Sequence, residues 1–138
     1  MSRYAHVIYC DDIRNEIGNK LTLVGVYQGA LVASPIPALL PKLCVVLTLH
    51  TPKERMFEQV SVVGTYDDQE AFRMELSKEE LDSITADLPP PSADTKSYEM
   101  TLMATLTPFQ IETTGTLKLE IIADGEQLRC SSLSIKAG

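Results

Sequence analysis

The feature that most constrains the fold of this chain is an alternation of apolar and polar residues with a period of two. It is clearest at 98–106, where one face carries Tyr98, Met100, Leu102, Ala104 and Leu106. Successive side chains of a β-strand point to opposite faces, so this period predicts strands rather than helices. The segment 43–49 also alternates, but Cys44 and Val46 make its second face apolar. We therefore predict that 43–49 is a central strand covered on both sides.

Further strand-like runs are separated by residues that favour tight turns. The runs lie at 4–10, 21–27, 60–66, 71–76 and 117–121. Between them, Asp67-Asp68 and Asp124-Gly125 tolerate the positive φ angles of hairpin turns. A change of parity near Ser131 predicts a β-bulge. About eight strands without a βαβ rhythm predict an all-β fold, one antiparallel β-sandwich domain over 1–138, with a closed β-barrel as the alternative.

Two segments carry helix signals. Ser77 and Glu80 form a capping-box pattern that predicts one short helix. That helix must end before Pro89–Pro91, which we interpret as a loop. Asp12 is a suitable N-cap residue, so a second, short helical turn is predicted over Ile13–Ile17.

Composition excludes several classes of function. The chain has 138 residues with 12 basic and 19 acidic side chains, for a net charge of −7. This charge argues against a nucleic-acid partner, because phosphate binding needs a basic surface. The longest apolar run without a charge or proline, 21–34, is too short and too polar to span a bilayer, and no secretory signal is recognisable. No membrane partner is therefore predicted. Three cysteines without Cys-x-x-Cys spacing predict reduced thiols and a cytoplasmic location.

The acidity is concentrated in the second half of the chain. Residues 70–138 hold twelve acidic and six basic side chains, and much of the excess lies between Glu75 and Asp94. The candidate interaction residues of this segment are Glu79, Glu80 and Asp82. Either these carboxylates form a solvated helix face, or they form a docking patch for a basic partner or a mimic of nucleic-acid charge.

The densest polar cluster follows the first strand. Its candidate interaction residues are Asp11, Asp12, Arg14 and Glu16. If this cluster met the acidic loop at Asp67-Asp68, the oxygen atoms could hold calcium. The chain has no Asp-x-Asp-x-Asn-Gly pattern, however, and helix capping by Asp12 with surface pairing of Arg14 accounts for the same residues. No cofactor is therefore predicted.

Enzyme motifs are missing from the sequence. No Gly-x-Ser-x-Gly, Walker or Gly-x-Gly-x-x-Gly pattern occurs. The histidines are His6 and His50, and we expect His50 to lie exposed at a strand end. We predict that the protein is not an enzyme.

A proline-rich segment at 34–41 is predicted to cross in an extended form from one sheet to the other. It contains three apolar candidate interaction residues, Ile36, Leu39 and Leu40. These side chains either fold back onto the core or form an exposed contact patch.

The opening of the chain resembles a known family. The segment reads Tyr9-Cys10-Asp11-Asp12-Ile13-Arg14-Asn15-Glu16, then Gly18-Asn19-Lys20-Leu21, then Leu40-Pro41-Lys42-Leu43. Over roughly residues 5–50 it is similar to small bacterial and phage-associated proteins without an established activity. The resemblance implies a bacterial or phage cytoplasmic setting and a compact β-rich domain, and it implies no catalytic residue.

These observations predict a soluble, non-enzymatic binding module with a protein partner, which could be a second copy of the chain. Its candidate contact regions are 11–16, 35–41 and 77–94. The alternatives are a calcium-dependent ligand-binding sandwich and a structural component of a phage particle.

Overall fold

The computed structural model describes residues 2–88, 92 and 94–138 and is built almost entirely of β-strands. In chain order the strands are β1 (Tyr4–Glu16), β2 (Lys20–Val26), β3 (Ala30–Ala33), β4 (Ala38–Leu40), β5 (Leu43–Pro52), β6 (Val60–Tyr66), β7 (Gln69–Leu76), β8 (Ser97–Leu106), β9 (Phe109–Ile111), β10 (Gly115–Ala123), β11 (Glu126–Leu128) and β12 (Leu133–Ala137). One helix, α1 (Lys78–Ala86), lies between β7 and β8. The predicted all-β fold with one short helix is confirmed, and several of the additional strands are only three residues long.

Two sheets form the layers of the sandwich. A four-stranded sheet has the order β2-β1-β5-β8, and a six-stranded sheet has the order β3-β12-β10-β6-β7, with β11 also paired to β10. A two-stranded sheet joins β4 to β9. Within the described residues every pairing is antiparallel except that of β3 with β12, which is parallel.

The core lies between the two sheets and is divided into two clusters. One is centred on Leu43, Val45, Leu117, Leu133 and Ile135. The other is centred on Leu47, Leu49, Val62, Leu102 and Ile121. Strand β5 contributes to both clusters and pairs with β1 on one side and β8 on the other, so the central strand predicted at 43–49 is confirmed.

The outer face of β5 is covered by a hairpin of the same sheet. The first half of β1 pairs with β5, and its second half pairs with β2. The partly buried side chains of Ile13 and Leu23 pack against Cys10, Cys44 and Val46. The hairpin of β1 and β2 therefore folds back over its own sheet and makes a third layer at this point.

The helical turn predicted over Ile13–Ile17 is wrong. Residues 12–16 continue β1 and pair with 20–24 of β2. In a helix the side chains of 13–17 would follow a period of 3.6. In the strand, the side chain of Ile13 instead packs against the apolar face formed by Cys44 and Val46. Burial of Ile13 and the strand pairing override the local capping signal of Asp12.

Gly25 lies where the hairpin turns away from the rest of β1. Its φ angle is 67°, a left-handed conformation that glycine adopts without a steric penalty. A Cβ at this position would overlap the carboxylate of Asp11. That carboxylate accepts a hydrogen bond from the hydroxyl of Tyr27. The missing side chain of Gly25 therefore leaves room for the Asp11–Tyr27 contact at the bend.

The turns and the bulge agree with the sequence pattern. Asp67 and Asp68 have φ angles of 56° and 64°, and Asp124 and Gly125 have φ angles of 51° and 82°. Both pairs form two-residue hairpin turns of the type that requires positive φ at each position. Between the pairs Ile121–Leu128 and Leu117–Leu133, β10 advances four residues while its partner advances five. The predicted bulge near Ser131 is this extra residue.

Helix α1 closes one side of the sandwich. Ser77 caps it and forms the predicted reciprocal capping box with Glu80. Leu81 is fully buried in the core cluster around Leu47 and Leu49. Because α1 connects the edge strand β7 to the edge strand β8, it covers the gap between the two sheets. The predicted loop at Pro89–Pro91 lies outside the described residues, and α1 is too short to cross a membrane.

Candidate functional site

The turn end of the β1–β2 hairpin and the end of α1 lie on either side of one groove. We call it the hairpin–helix groove, and its volume is about 350 Å³. The hairpin contributes Glu16, Lys20 and Leu21, the helix end contributes Ile84, Asp87 and Leu88, and the outer face of β8 contributes Glu99, Thr101 and Met103. The structure thus brings together two of the three contact regions that the sequence predicts, 11–16 and 77–94.

Apolar side chains are exposed along this groove. Leu21 is 38% exposed and Met103 is 43% exposed, while Ile84 and Leu88 are half-buried. Met103 lies on the face of β8 that the alternation assigns to polar residues. Ile17, at the turn of the same hairpin, is 95% exposed. A mixture of exposed aliphatic side chains and charges is typical of protein-binding surfaces.

The charge of the groove is negative. Glu16, Asp87 and Glu99 face a single base, Lys20. Among the described residues neither Glu16 nor Asp87 has an ion-pair partner, and the Glu99 carboxylate lies 3.5 Å from Nδ1 of His50. The last turn of α1 contains no basic residue, so the negative end of the helix dipole is uncompensated at Asp87, the C-cap. The backbone and the side chains therefore produce a potential of the same sign.

The other polar candidates in 11–16 lie outside this groove. Oδ1 of Asp12 accepts hydrogen bonds from Nζ of Lys42 at 3.0 Å and from the backbone N–H of Ile13 at 2.9 Å. These two contacts, the lysine first, lower the pKa of the Asp12 carboxyl group. Arg14 is exposed on the hairpin. Asp12 thus contributes to local structure, although not as the helix cap that the sequence suggests.

The acidic loop at Asp67-Asp68 is a hairpin turn whose Asp67 carboxylate accepts a hydrogen bond from Thr113 at 3.1 Å. Within the described parts of the chain, no three His, Cys, Asp or Glu side chains are grouped closely enough to hold a metal ion. The two acidic loops that could together have formed a calcium site do not make a shared ligand set there.

The candidates in the first turns of α1 lie apart from the hairpin–helix groove. Glu79 is exposed, and Asp82 lies 3.7 Å from Nζ of Lys78 in a surface pair. Glu80 is used by the capping box and borders a separate pocket with Glu75 and Ser77. The part of the acidic segment that enters the groove is its later part, around Asp87.

The proline-rich segment crosses from β3 in one sheet to β5 in the other, as predicted. Both alternatives for its apolar residues occur. Ile36 and Leu40 pack against the core, while Leu39 is 62% exposed on β4. A single exposed leucine is common on protein surfaces and does not by itself form a contact patch.

A buried polar cluster around Arg3 joins segments that are far apart in the sequence. The sequence patterns do not predict it. The side chain of Arg3 is 3% exposed and lies 3.0 Å from the carboxylate of Asp124. It also donates hydrogen bonds to Thr51 and to the carbonyl oxygens of Arg55 and Met56. All these partners lie 48 or more positions from Arg3, so no local pattern signals them. The cluster fastens β1 to the β5–β6 loop and to the β10–β11 turn.

The expectation that His50 is exposed is wrong. Its ring is buried and stacks on Tyr4 with ring centres 4.1 Å apart, while His6 lies at 5.0 Å. Among the described residues, Nε2 of His50 has no hydrogen-bond partner. His50 pairs with β1 on one side and with β8 on the other, so it does not lie at an exposed strand end. The Thr51-Pro52 sequence alone suggests such an end.

Comparison with known proteins defines the relationship of the chain. No curated protein and no solved structure matches it. A family of unknown function, DUF6941, matches residues 6–136. This match includes both sheets, the β1–β2 hairpin and α1. The chain therefore belongs to the DUF6941 family.

Proposed function

We propose that this protein is a non-enzymatic binding module that docks a protein partner in the hairpin–helix groove. One observation carries the proposal: aliphatic and acidic side chains from three separate elements line a single groove. The proposed setting is the cytoplasm, in keeping with the free thiols of Cys10, Cys44 and Cys130.

The aliphatic side chains of the groove provide the energy for binding. Removing apolar surface from water stabilises a complex by about 25 cal/mol per Å². Leu21 and Met103 expose such surface, and methionine adapts its shape to different partners. Glu16, Asp87 and Glu99 line the same groove and would supply the polar contacts that accompany apolar ones in an interface.

The walls of the groove are held in place before a partner arrives. Ile13 and Leu23 anchor the hairpin on β5, and Leu81 anchors α1 in the core. A surface that needs no ordering on association retains more of its contact energy as affinity. The groove is favoured over Leu39, because several apolar side chains line it together whereas Leu39 stands alone on the short strand β4.

Substitution of Met103 tests the proposal. The wild-type protein and Met103→Arg would be used as baits in extracts of cells that naturally contain the protein. Val32→Arg provides a matched control, because Val32 is 63% exposed on β3, away from the groove. We expect a partner retained by the wild type and by Val32→Arg and lost with Met103→Arg. Equal recovery by all three baits would contradict a docking site in the groove.

Two further measurements separate the alternative partners. Sedimentation velocity at high concentration detects a second copy of the chain as the occupant, in which case Met103→Arg would dissociate the oligomer. Calcium at millimolar concentration is expected to leave the melting temperature unchanged, since a ligand of the folded state must raise it. A calcium-dependent increase would favour the ligand-binding alternative.

A further inference from the structure

We infer that the hairpin–helix groove recognises a short peptide segment in which an aliphatic side chain is flanked by lysine or arginine. This inference rests on the proposed function and specifies the chemistry of the partner. It follows from the acidic and aliphatic side chains that line the same groove.

The acidic groups of the groove stand on different walls. Glu16 lies on the hairpin, Asp87 at the end of α1 and Glu99 on β8. A basic group can therefore approach a carboxylate from more than one direction, and the uncompensated end of the helix dipole adds to the attraction. Arginine and lysine would form charge-assisted hydrogen bonds with these carboxylates.

The apolar groups stand on the same three walls as the acids. Leu21 lies on the hairpin, Ile84 on α1 and Met103 on β8. A side chain such as leucine would bury part of each of them. At about 350 Å³ the groove is at the lower end of the roughly 300–1,000 Å³ of ligand pockets, which suits a few side chains rather than a whole domain.

Charge also argues against other occupants. An acidic peptide or a nucleic acid would meet three carboxylates and a single lysine. A second copy of this chain carries a net charge of −7, so its approach to a negative groove is opposed at long range. A basic segment is favoured at long range and in contact.

The inference is tested with synthetic peptides and the full chain. A fluorescent eight-residue peptide of alternating lysine and leucine would be titrated with the protein and its anisotropy recorded. Control peptides replace every lysine by glutamate or every leucine by serine. We expect saturable binding of the lysine–leucine peptide that weakens as salt increases, no binding of the glutamate peptide, and markedly weaker binding of the serine peptide.

A double charge reversal locates the binding. The double variant Glu16→Lys, Asp87→Lys is expected to bind the lysine–leucine peptide with an affinity lower by about tenfold or more. The control double variant Glu112→Lys, Glu120→Lys changes the net charge equally at exposed positions outside the groove. Its affinity for the peptide is expected to fall only slightly. Equal loss in both double variants would mean that net charge alone attracts the peptide, and no loss in either would mean that it binds elsewhere. Both results overturn the inference.

The failure of this inference differs from the failure of the proposed function. If none of the peptides binds while partner capture still depends on Met103, the groove docks a partner of other chemistry and the inference is wrong. If partner capture is also independent of Met103, the proposed function itself is wrong.

Discussion

Two charged regions of the molecule differ in whether their charges have partners. One is the buried pair of Arg3 and Asp124, and the other is the hairpin–helix groove. The guanidinium group of Arg3 is buried, and it contacts a carboxylate, a hydroxyl group and two carbonyl oxygens. Its Cζ atom also lies over the ring of Phe57, 4.6 Å from the ring centre. In the groove, Glu16 and Asp87 are exposed and have no ion-pair partner among the described residues. The first region uses charge to join chain segments, whereas the second leaves charge available.

The difference between the two regions is whether a buried charge must be paired or an exposed charge is solvated. A buried charge without partners would destabilise the fold severely, so Arg3 must be bonded wherever the chain is folded. An exposed carboxylate is solvated by water and makes little difference to the fold. The acids of the groove are therefore not needed to hold the fold together.

The largest expected effect is that of Arg3→Ala. The change removes several hydrogen bonds and leaves Asp124 without its cation, so we expect the free energy of unfolding to fall by about 3 kcal/mol. Arg129→Ala, at an exposed arginine, is the control and is expected to change it by less than about 0.5 kcal/mol. Urea unfolding measures both. Similar midpoints for the two variants would show that the buried cluster does not hold the fold together.

The next effect concerns the bend that positions one wall of the groove. Gly25→Ala places a methyl group in left-handed backbone and against the Asp11 carboxylate, and we expect a loss of about 2–3 kcal/mol. Gly18 has a φ angle of 88° and no atom near the position of an added Cβ. Gly18→Ala therefore isolates the backbone penalty, and we expect it to lower the free energy of unfolding by about 1 kcal/mol. Equal losses in thermal or urea unfolding would mean that the Asp11 contact is unimportant.

A much smaller effect on stability is expected for the groove acids. The double variant Glu16→Lys, Asp87→Lys should change the free energy of unfolding by less than about 1 kcal/mol, because exposed unpaired carboxylates contribute little to folding and a lysine at the end of α1 gains at most about that much from the helix dipole. The same urea experiment would detect a larger change. A loss comparable to that of Arg3→Ala would erase the contrast between the two regions and give the groove a structural role.

The smallest effect lies at the pair of Asp12 and Lys42, which belongs to neither region. Lys42 lowers the pKa of Asp12 in the folded chain. A lowered pKa means that the stabilisation is present above the pKa of the unfolded chain, about 3.9, and is lost as the pH falls through the folded value. Lys42→Ala should raise the pKa of Asp12 towards its ordinary value, whereas Lys42→Arg should not. Carboxyl-carbon NMR titration measures the shift, and an unchanged pKa in Lys42→Ala would refute this role.

The sequence predicted those parts of the fold that depend on neighbours along the chain. The alternation at 43–49 identified a strand buried on both faces, and the turns at Asp67-Asp68 and Asp124-Gly125 followed from backbone preferences alone. The cap at Ser77 was equally local. In each case the side chains or backbone angles that decide the structure lie within a few residues.

The site could be predicted only in part, because it depends on contacts between distant segments. Residues 11–16 and 77–94 were recognised as polar surface, yet their approach to one groove requires the hairpin to fold back over β5. That event is decided by Ile13 and Leu23 meeting Cys44 and Val46. The same packing turned a capping signal at Asp12 into a strand, and it placed Met103 in a groove that the alternation along β8 does not predict.

The parallel pairing of β3 with β12 has a consequence for how the chain is made. Ala30 pairs with Ser134, which is synthesised 104 positions later. At roughly 5–20 residues per second, a ribosome needs several seconds to deliver that partner. During this interval β3, with its exposed Val32, is an unpaired edge that other nascent chains can bind. The six-stranded sheet can close only after β12 emerges and inserts between β3 and β10, so its closure must wait for this long-range pairing.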